Sequence, residues 1–159
     1  ELWTDTAGKV RAYLLCVCDS RTDAEDILQE CYLRALRGWA TFNGNGSRQA
    51  WVFGIARKAC ADWVRQRRRR AAVIAVERLD EFADHSCDRP AADGLEAAWN
   101  AVDNLNAEQK EVVHLRFAAG LSYAEIAQTL AIPVGTVRSR LHRGLKAVRE
   151  QIRELEDGT

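Results

Sequence analysis

Residues 122–146 read SYAEIAQTLAIPVGTVRSRLHRGLK, and this stretch decides the fold. Ser122 stands three residues before Glu125, the capping-box spacing that satisfies two amides at a helix start. Ile126, Ala127 and Leu130 then form the apolar side of a short helix. Ala131-Ile132-Pro133 reads as a tight turn. A second helix follows. Its apolar residues Val137, Leu141, Leu145, Val148, Ile152 and Leu155 are spaced +4, +4, +3, +4, +3, the cleanest helical period in the chain. Helix, short turn, helix is the helix-turn-helix pattern, whose second helix enters the DNA major groove.

The helical wheel supports that assignment. With Val137 at zero and about 100° per residue, Leu141 and Leu145 fall near 40° and 80°. Gly135, Ser139, His142, Arg143 and Lys146 fall between about 140° and 240°. Arg138 lies near 100° and Arg140 near 300°. The face away from the core is therefore small, polar and cationic, with almost no acid before Glu150. Arginine bridges guanine O6 and N7, and serine bonds base edges or phosphate. The amides after Pro133 offer a further approach to phosphate. A solvated surface helix can also be basic, but this clustering favours a nucleic-acid face.

Upstream of this motif, Leu95, Trp99, Val102 and Leu105 carry a helical period. Asn106, with Gln109 three on, marks a new cap. Val112, Val113, Leu115 and Phe117 follow, and Gly120 fits a helix stop. The first half is helical too. Residues 8–18 place Val10, Tyr13, Leu14 and Val17 on one side, and Asp19-Ser20-Arg21 reads as a break. Thr22 and Glu25 have capping-box spacing. The expected buried stripe is Leu28, Tyr32, Ala35 and Trp39, with Ile27 and Cys31 beside it. Asp23, Glu25 and Asp26 suit the positive end of that helix. Asn43-Gly44-Asn45-Gly46-Ser47 is the strongest loop signal, with Ser47 as the next cap. Val52, Ile55, Ala56, Ala59 and Trp63 then form a stripe on a helix ending in Arg65 and the run Arg67–Arg70. That helix mixes cations with Trp51, Phe53 and Trp63. This combination suits a nucleic-acid strand, although Trp63 at helical spacing fits a core better. Residues 71–92 lose the pattern. Val73, Val76, Leu79 and Phe82 could form a turn or two before Asp88-Arg89-Pro90 breaks the run.

Composition bounds the rest. The chain has 159 residues, 47% hydrophobic and 29% charged, which excludes a disordered or collagen-like chain. No apolar run approaches the roughly 18–20 residues that span a bilayer, and no signal-peptide pattern opens the chain. There is no methionine, so Glu1 reads as a trimmed start with sequence missing ahead of it. Five scattered cysteines do not form a secreted disulfide framework, and a reducing, cytoplasmic setting is expected. The net charge of zero hides an asymmetry. Residues 1–70 hold 13 basic and 8 acidic side chains, residues 71–104 hold 2 and 8, and residues 105–159 hold 8 and 7. A basic front and an acidic middle point to nucleic acid and to a middle with another task. Cys16-Val17-Cys18 is too close for the usual metal spacing, and His85-Ser86-Cys87 lacks partners, so no metal or other cofactor is expected. Cys60 lies near cations, but no His or acid is spaced to make it a catalytic nucleophile, and no enzyme activity is expected.

Four stretches carry a family resemblance. Asp23-Ala24-Glu25-Asp26-Ile27-Leu28-Gln29-Glu30 with Leu33-Arg34-Ala35, and Ala50-Trp51-Val52-Phe53-Gly54-Ile55-Ala56-Arg57 with Asp62-Trp63-Val64-Arg65, resemble region 2 of bacterial sigma factors. Gly120-Leu121-Ser122-Tyr123-Ala124-Glu125-Ile126-Ala127 and Pro133-Val134-Gly135-Thr136-Val137-Arg138-Ser139-Arg140-Leu141 resemble region 4. There is no room for a region 3 domain, so the chain resembles the extracytoplasmic-function (ECF) sigma factors. The expected fold is all-α. Two small helical domains, residues 1–70 and 94–159, are joined by an acidic linker at 71–93, and the second contains the helix-turn-helix.

The resemblance implies a non-catalytic initiation factor with three sets of site residues. Region 2 would dock on the clamp helices of the RNA polymerase largest subunit through Asp26, Gln29, Glu30, Arg34 and Arg37. It would take the melted −10 strand, with a base flipped under the loop at 43–48, through Asn43, Asn45, Ser47, Arg48, Trp51, Arg57, Lys58 and Arg65. Region 4 would read the −35 duplex. Arg138, Ser139, His142 and Arg143 face bases, and Ser122, Tyr123, Thr136, Arg140 and Lys146 face phosphate. Lys58 departs from the family's frequent Asn, and His142 from an aromatic ring found in some members. In the linker, Asp80, Glu81, Asp84, Asp88 and Asp93 would mimic nucleic-acid charge inside the polymerase, or serve as a solvated tether. An anti-sigma factor is an expected partner, with no direct membrane insertion. A stand-alone DNA-binding regulator built on residues 105–152 is the alternative.

Overall fold

A computed structural model describes residues 2–74 and 95–157 of the chain. The linker acids Asp80, Glu81, Asp84, Asp88 and Asp93, the Val76, Leu79 and Phe82 pattern, and His85-Ser86-Cys87 lie outside the described residues. Among the described residues every regular element is helical. The chain divides into two compact units, Glu1–Asp88 and Arg89–Thr159.

The first unit packs three helices: α1 (Leu2–Val17), α2 (Arg21–Gly38) and α3 (Arg48–Ile74). A single 3-10 turn, Trp39–Thr41, leads from α2 into the loop ahead of α3. Ser20, not Thr22, caps α2. Its hydroxyl accepts from the Asp23 amide at 3.1 Å, because the helix starts two residues earlier than the Thr22–Glu25 spacing implies. The buried line of α2 is Ala24, Ile27 and Cys31, each at 1% exposure or less. The expected line is rotated outward: Tyr32 is 41% and Trp39 47% exposed. Those aromatics lie at the rim of the helix packing, Tyr32 against Trp3 of α1 at 5.2 Å and Trp39 against Trp51 of α3 at 6.1 Å.

Val10, Leu14, Val52, Phe53 and Ala56 complete the core of this unit. Burying each large apolar side chain contributes about 1.5–3 kcal/mol. Phe53 is fully buried and meets Tyr13 edge-on at 5.7 Å, so it is a core residue and no stacking platform. Trp63 is half-buried. The Arg67–Arg70 run lies inside α3, which continues beyond it to Ile74.

The second unit contains α4 (Leu95–Asp103), α5 (Ala107–Val113), α6 (Tyr123–Leu130) and α7 (Val134–Asp157), the other three each packing on α7. Asn106 caps α5 through the Gln109 amide at 2.9 Å. The chain then widens into one π-helical turn, His114–Ala118, which leaves Phe117 56% exposed while Leu115 is buried. Gly120 takes a left-handed φ of +68° and releases the chain toward α6. The core line of α7 is Val137, Leu141, Gly144 and Val148. Leu145 and Ile152 are half-buried and Leu155 is 64% exposed, so the apolar period outlasts its cover. A Cβ at Gly144 would sit 3.4 Å from both Gln109 and Val113 side chains, which places α7 close against α5.

Candidate nucleic-acid interface

The helix-turn-helix is formed by α6 and α7, and its entry is tightly fixed. The Ser122 hydroxyl accepts from the Glu125 amide, and the Glu125 carboxylate accepts from the Ser122 amide at 2.9 Å. Both halves of the capping box therefore form. At the turn, Ala131 adopts a left-handed conformation (φ 53°, ψ 45°), and its amide donates to the carbonyls that end α6. Pro133 then starts α7, its carbonyl accepting from Thr136 and Val137.

With Val137 and Leu141 sealed in the core, the opposite side of α7 is turned out. Arg138, His142, Arg143 and Lys146 are exposed. Lys146 lies 3.8 Å from Glu150, a loose exposed pair. Two predicted residues are engaged inside the unit. The Ser139 hydroxyl donates to the Thr136 carbonyl at 3.0 Å, and Arg140 turns back to Glu108 at 2.8 Å. Ser122 and Tyr123 are exposed, and Thr136 is half-buried.

Sequence reasoning missed Arg116. Its guanidinium donates to the Leu121 carbonyl at 2.8 Å and lies 5.4 Å over the Tyr123 ring. It therefore puts a cation beside the α6 cap. Its pairing with Tyr123 gave no helical signal, because Arg116 lies in the π-helical turn and the non-helical residues 119–122 separate it from α6.

In the first unit, the loop at 43–47 carries two left-handed glycines, Gly44 (φ 76°) and Gly46 (φ 86°). The Asn43 side-chain oxygen accepts from the Asn45 amide at 3.1 Å, and Asn43 and Asn45 are both exposed. Ser47 caps α3 as expected, accepting from the Ala50 amide. An aromatic cluster flanks this loop. Trp39 stacks on Phe42 at 5.9 Å, Trp51 meets both rings, and the Arg48 guanidinium lies 5.9 Å over Trp39. Of the three rings only Trp51 was expected at this site; Trp39 was expected in the buried stripe and Phe42 was not singled out. The overlooked signal was aromatics at both ends of one Gly/Asn loop. Along α3, Trp51, Lys58 and Arg65 recur every seven residues and share one side. Arg57 is half-buried and Lys58 exposed.

Charge in this unit is extensively paired. Arg34 bridges Glu30 on α2 and Asp62 on α3, at 2.7 Å to each. Arg65 reaches the other Asp62 oxygen at 2.5 Å. Hydrogen bonds from Arg34 and Arg65 hold the Asp62 carboxyl below the usual carboxylate range. The same bonds to Glu30 and Asp62 push the Arg34 guanidinium still higher. Of the predicted docking residues, Asp26, Gln29 and Arg37 are exposed on α2, while Glu30 and Arg34 are half-buried in this network. Beside them runs an open apolar groove of about 260 Å³, lined by Trp3, Tyr32, Leu36, Trp39 and Trp51. No helix among the described residues is long and apolar enough to cross a membrane.

Comparison with known proteins agrees with this architecture. Residues 2–70 match the family profile of Sigma-70 region 2, and residues 95–148 match that of Sigma-70, region 4. The chain is 30% identical to the ECF RNA polymerase sigma factor SigX of Bacillus subtilis (strain 168), over 91% of this chain and 78% of that protein. It is 32% identical to SigW of the same organism, also an ECF RNA polymerase sigma factor, over 92% of this chain and 86% of that one. The fold resembles the sigma factor RpoE in its co-crystal structure with the anti-sigma factor NepR from Bartonella quintana. The TM-score is 0.75 at 24% identity, covering 96% of this chain and 94% of the other. Two region matches in order, with relatives aligned along most of their length, place the chain in one family: it belongs to the ECF RNA polymerase sigma factors.

Proposed function

We propose that this sigma factor divides promoter recognition between its two units, with the linker as a third, acidic element. Residues 94–159 read −35 duplex, residues 1–70 dock on core polymerase and hold the melted −10 strand, and residues 71–93 thread between. The observation that carries the proposal is the two-sidedness of α7. Val137 and Leu141 anchor one side, and Arg138, His142, Arg143 and Lys146 are exposed on the other. Arg138, Ser139, His142 and Arg143 contact bases, while Ser122, Tyr123, Thr136, Arg140 and Lys146, joined by Arg116, hold phosphates. For Ser139 and Arg140, contact with DNA means exchanging the bonds to Thr136 and Glu108.

In the first unit, Asn43, Asn45, Ser47 and Arg48 form the rim that takes an extruded base. Trp51, Arg57, Lys58 and Arg65 track the strand along α3. Asp26, Gln29, Glu30, Arg34 and Arg37 face the polymerase clamp helices. The exposed apolar groove beside them extends that docking face. The protein acts in the cytoplasm as an initiation factor with no catalytic step of its own. An anti-sigma factor covers these docking faces in the resting state. This partner is supported by the RpoE neighbour, which was solved with one bound.

The test is run-off transcription from a genomic promoter library, using core RNA polymerase with and without the protein. Start sites that appear only with the protein and share −35 and −10 motifs are the expected result. Those motifs give the preference set by His142 and Lys58. Tight duplex binding without any polymerase binding would instead favour a stand-alone regulator.

A further inference from the structure

We propose that Cys18 and Cys60 are a redox modification site: a hydroperoxide oxidises the pair to a disulfide that clasps the end of α1 to the middle of α3. Cys18 directly follows α1, and its amide donates to the Leu14 carbonyl at 2.9 Å, so its backbone is held as a continuation of that helix. Cys60 lies on α3 and is half-buried, where Cys16, Cys18 and Cys31 are buried. The Cys18 side chain is the hydrogen-bond partner of the Cys60 thiol. Both line an open cavity of about 420 Å³ together with Asp19, Trp63 and Arg67. Arg67 crosses this cavity to Asp19 and Asp23, at 2.9 and 3.1 Å, and fixes the α1–α2 turn against α3.

The described cysteines are unequal in reactivity. The hydrogen bond from Cys18 draws the Cys60 thiol below its ordinary range, against the opposing effects of burial and Asp19. Burial pushes the Cys31 thiol up to about 12. Cys16 is buried. Thiolate fraction and access decide which sulfur reacts, and both favour Cys60.

The chemistry balances with one peroxide. The Cys60 thiolate attacks a peroxide oxygen and the O–O bond breaks. This gives a sulfenic acid on Cys60 and a hydroxide that takes the Cys60 proton to become water. The Cys18 sulfur then attacks the Cys60 sulfur. The S–OH bond breaks, the S–S bond forms, and hydroxide leaves as water with the Cys18 proton. Two thiols are oxidised by two electrons and one hydrogen peroxide is reduced to two waters. The new bond encloses α2 within a covalent loop and restricts the unfolded chain, so oxidation raises the melting temperature.

The experiment treats the reduced full-length protein with hydrogen peroxide and maps peptides without reductant. The expected product is a Cys18–Cys60 cross-linked peptide. It should form about tenfold faster than any change at Cys31, revert with dithiothreitol and accompany a higher melting temperature. In Cys18→Ser, Cys60 should stop as a sulfenic acid that dimedone captures. If that variant fails to fold by circular dichroism, the wild-type peptide map decides alone. A Cys60 that stays a thiol while other cysteines react, or that pairs with Cys87 or a second chain, overturns the proposal.

Discussion

In the first unit Arg11, Arg34, Arg65 and Arg67 each lie within ion-pair distance of a carboxylate. On the outward side of α7 in the second unit, Arg138, His142 and Arg143 face solvent with no acid between them. These two sets of cations stand in opposite states. A duplex is a dense line of phosphates, and a surface gains affinity by displacing its counterions with standing cations. A separated strand offers base faces, which stack on rings and bond to amides. The proposed strand site offers amides in the loop at 43–47 and rings in the Trp39–Phe42–Trp51 cluster, while Arg34, Arg65 and Arg67 also brace the unit's own architecture.

The comparison can be broken most forcefully in the cores. Phe53→Ala should destabilise the first unit by about 3–5 kcal/mol. Hydrogen exchange should confine that loss to α1–α3. Equal loss in α6 and α7 would mean that the units do not fold independently. Next in size is the α7 face. Arg138→Ala should cost about 1–3 kcal/mol at promoters matching the base it reads and little elsewhere, measured by transcription on matched and mismatched promoters. Lys146→Ala should instead weaken all promoters alike and reduce the salt slope of binding by about 0.9. Identical behaviour of the two variants would erase the division between reading and holding.

A smaller effect tests how the reader is aimed. Ser122→Ala removes half of the capping box and should cost about 0.5–2 kcal/mol, seen as a lower melting transition of the second unit. The smallest effect sharpens the charge contrast. Asp62 has its carboxyl held low by Arg34 and Arg65, so its contribution to stability is present at neutral pH. That contribution is lost as pH falls from the ordinary carboxylate range, about 4, through the lower folded value. Arg34→Ala should let the Asp62 carboxyl titrate at higher pH in NMR. An unmoved Asp62 would show that Arg65 alone holds it.

The second unit was largely legible in sequence because its instructions are local. The Asn106 and Ser122 caps, the Gly120 stop and the α7 period each act within one or two turns, and each is present. The first unit was less legible because its arrangement depends on partners distant in sequence. Which side of α2 is buried depends on where α1 and α3 lie: Ile27 and Cys31, expected beside the stripe, are buried with Ala24, while Tyr32 and Trp39 of the stripe are exposed. The Arg34–Asp62 bridge joins residues 28 apart, a separation no helical period encodes. The bend of Arg140 toward Glu108 escaped the wheel for the same reason.

The left-handed alanine between α6 and α7 separates aim from message. Ala131 sits where glycine rests without strain and where an ordinary residue bears about 1–2 kcal/mol. Its dihedrals set the angle at which α7 leaves the turn, yet it carries no group that bonds a base or a phosphate. Exchange at this one position can redirect the helix while every side chain proposed to read the target stays in place. Exchange along α7 changes those proposed contacts without moving the frame. Drift in binding affinity and drift in sequence preference thus have separate addresses in the chain.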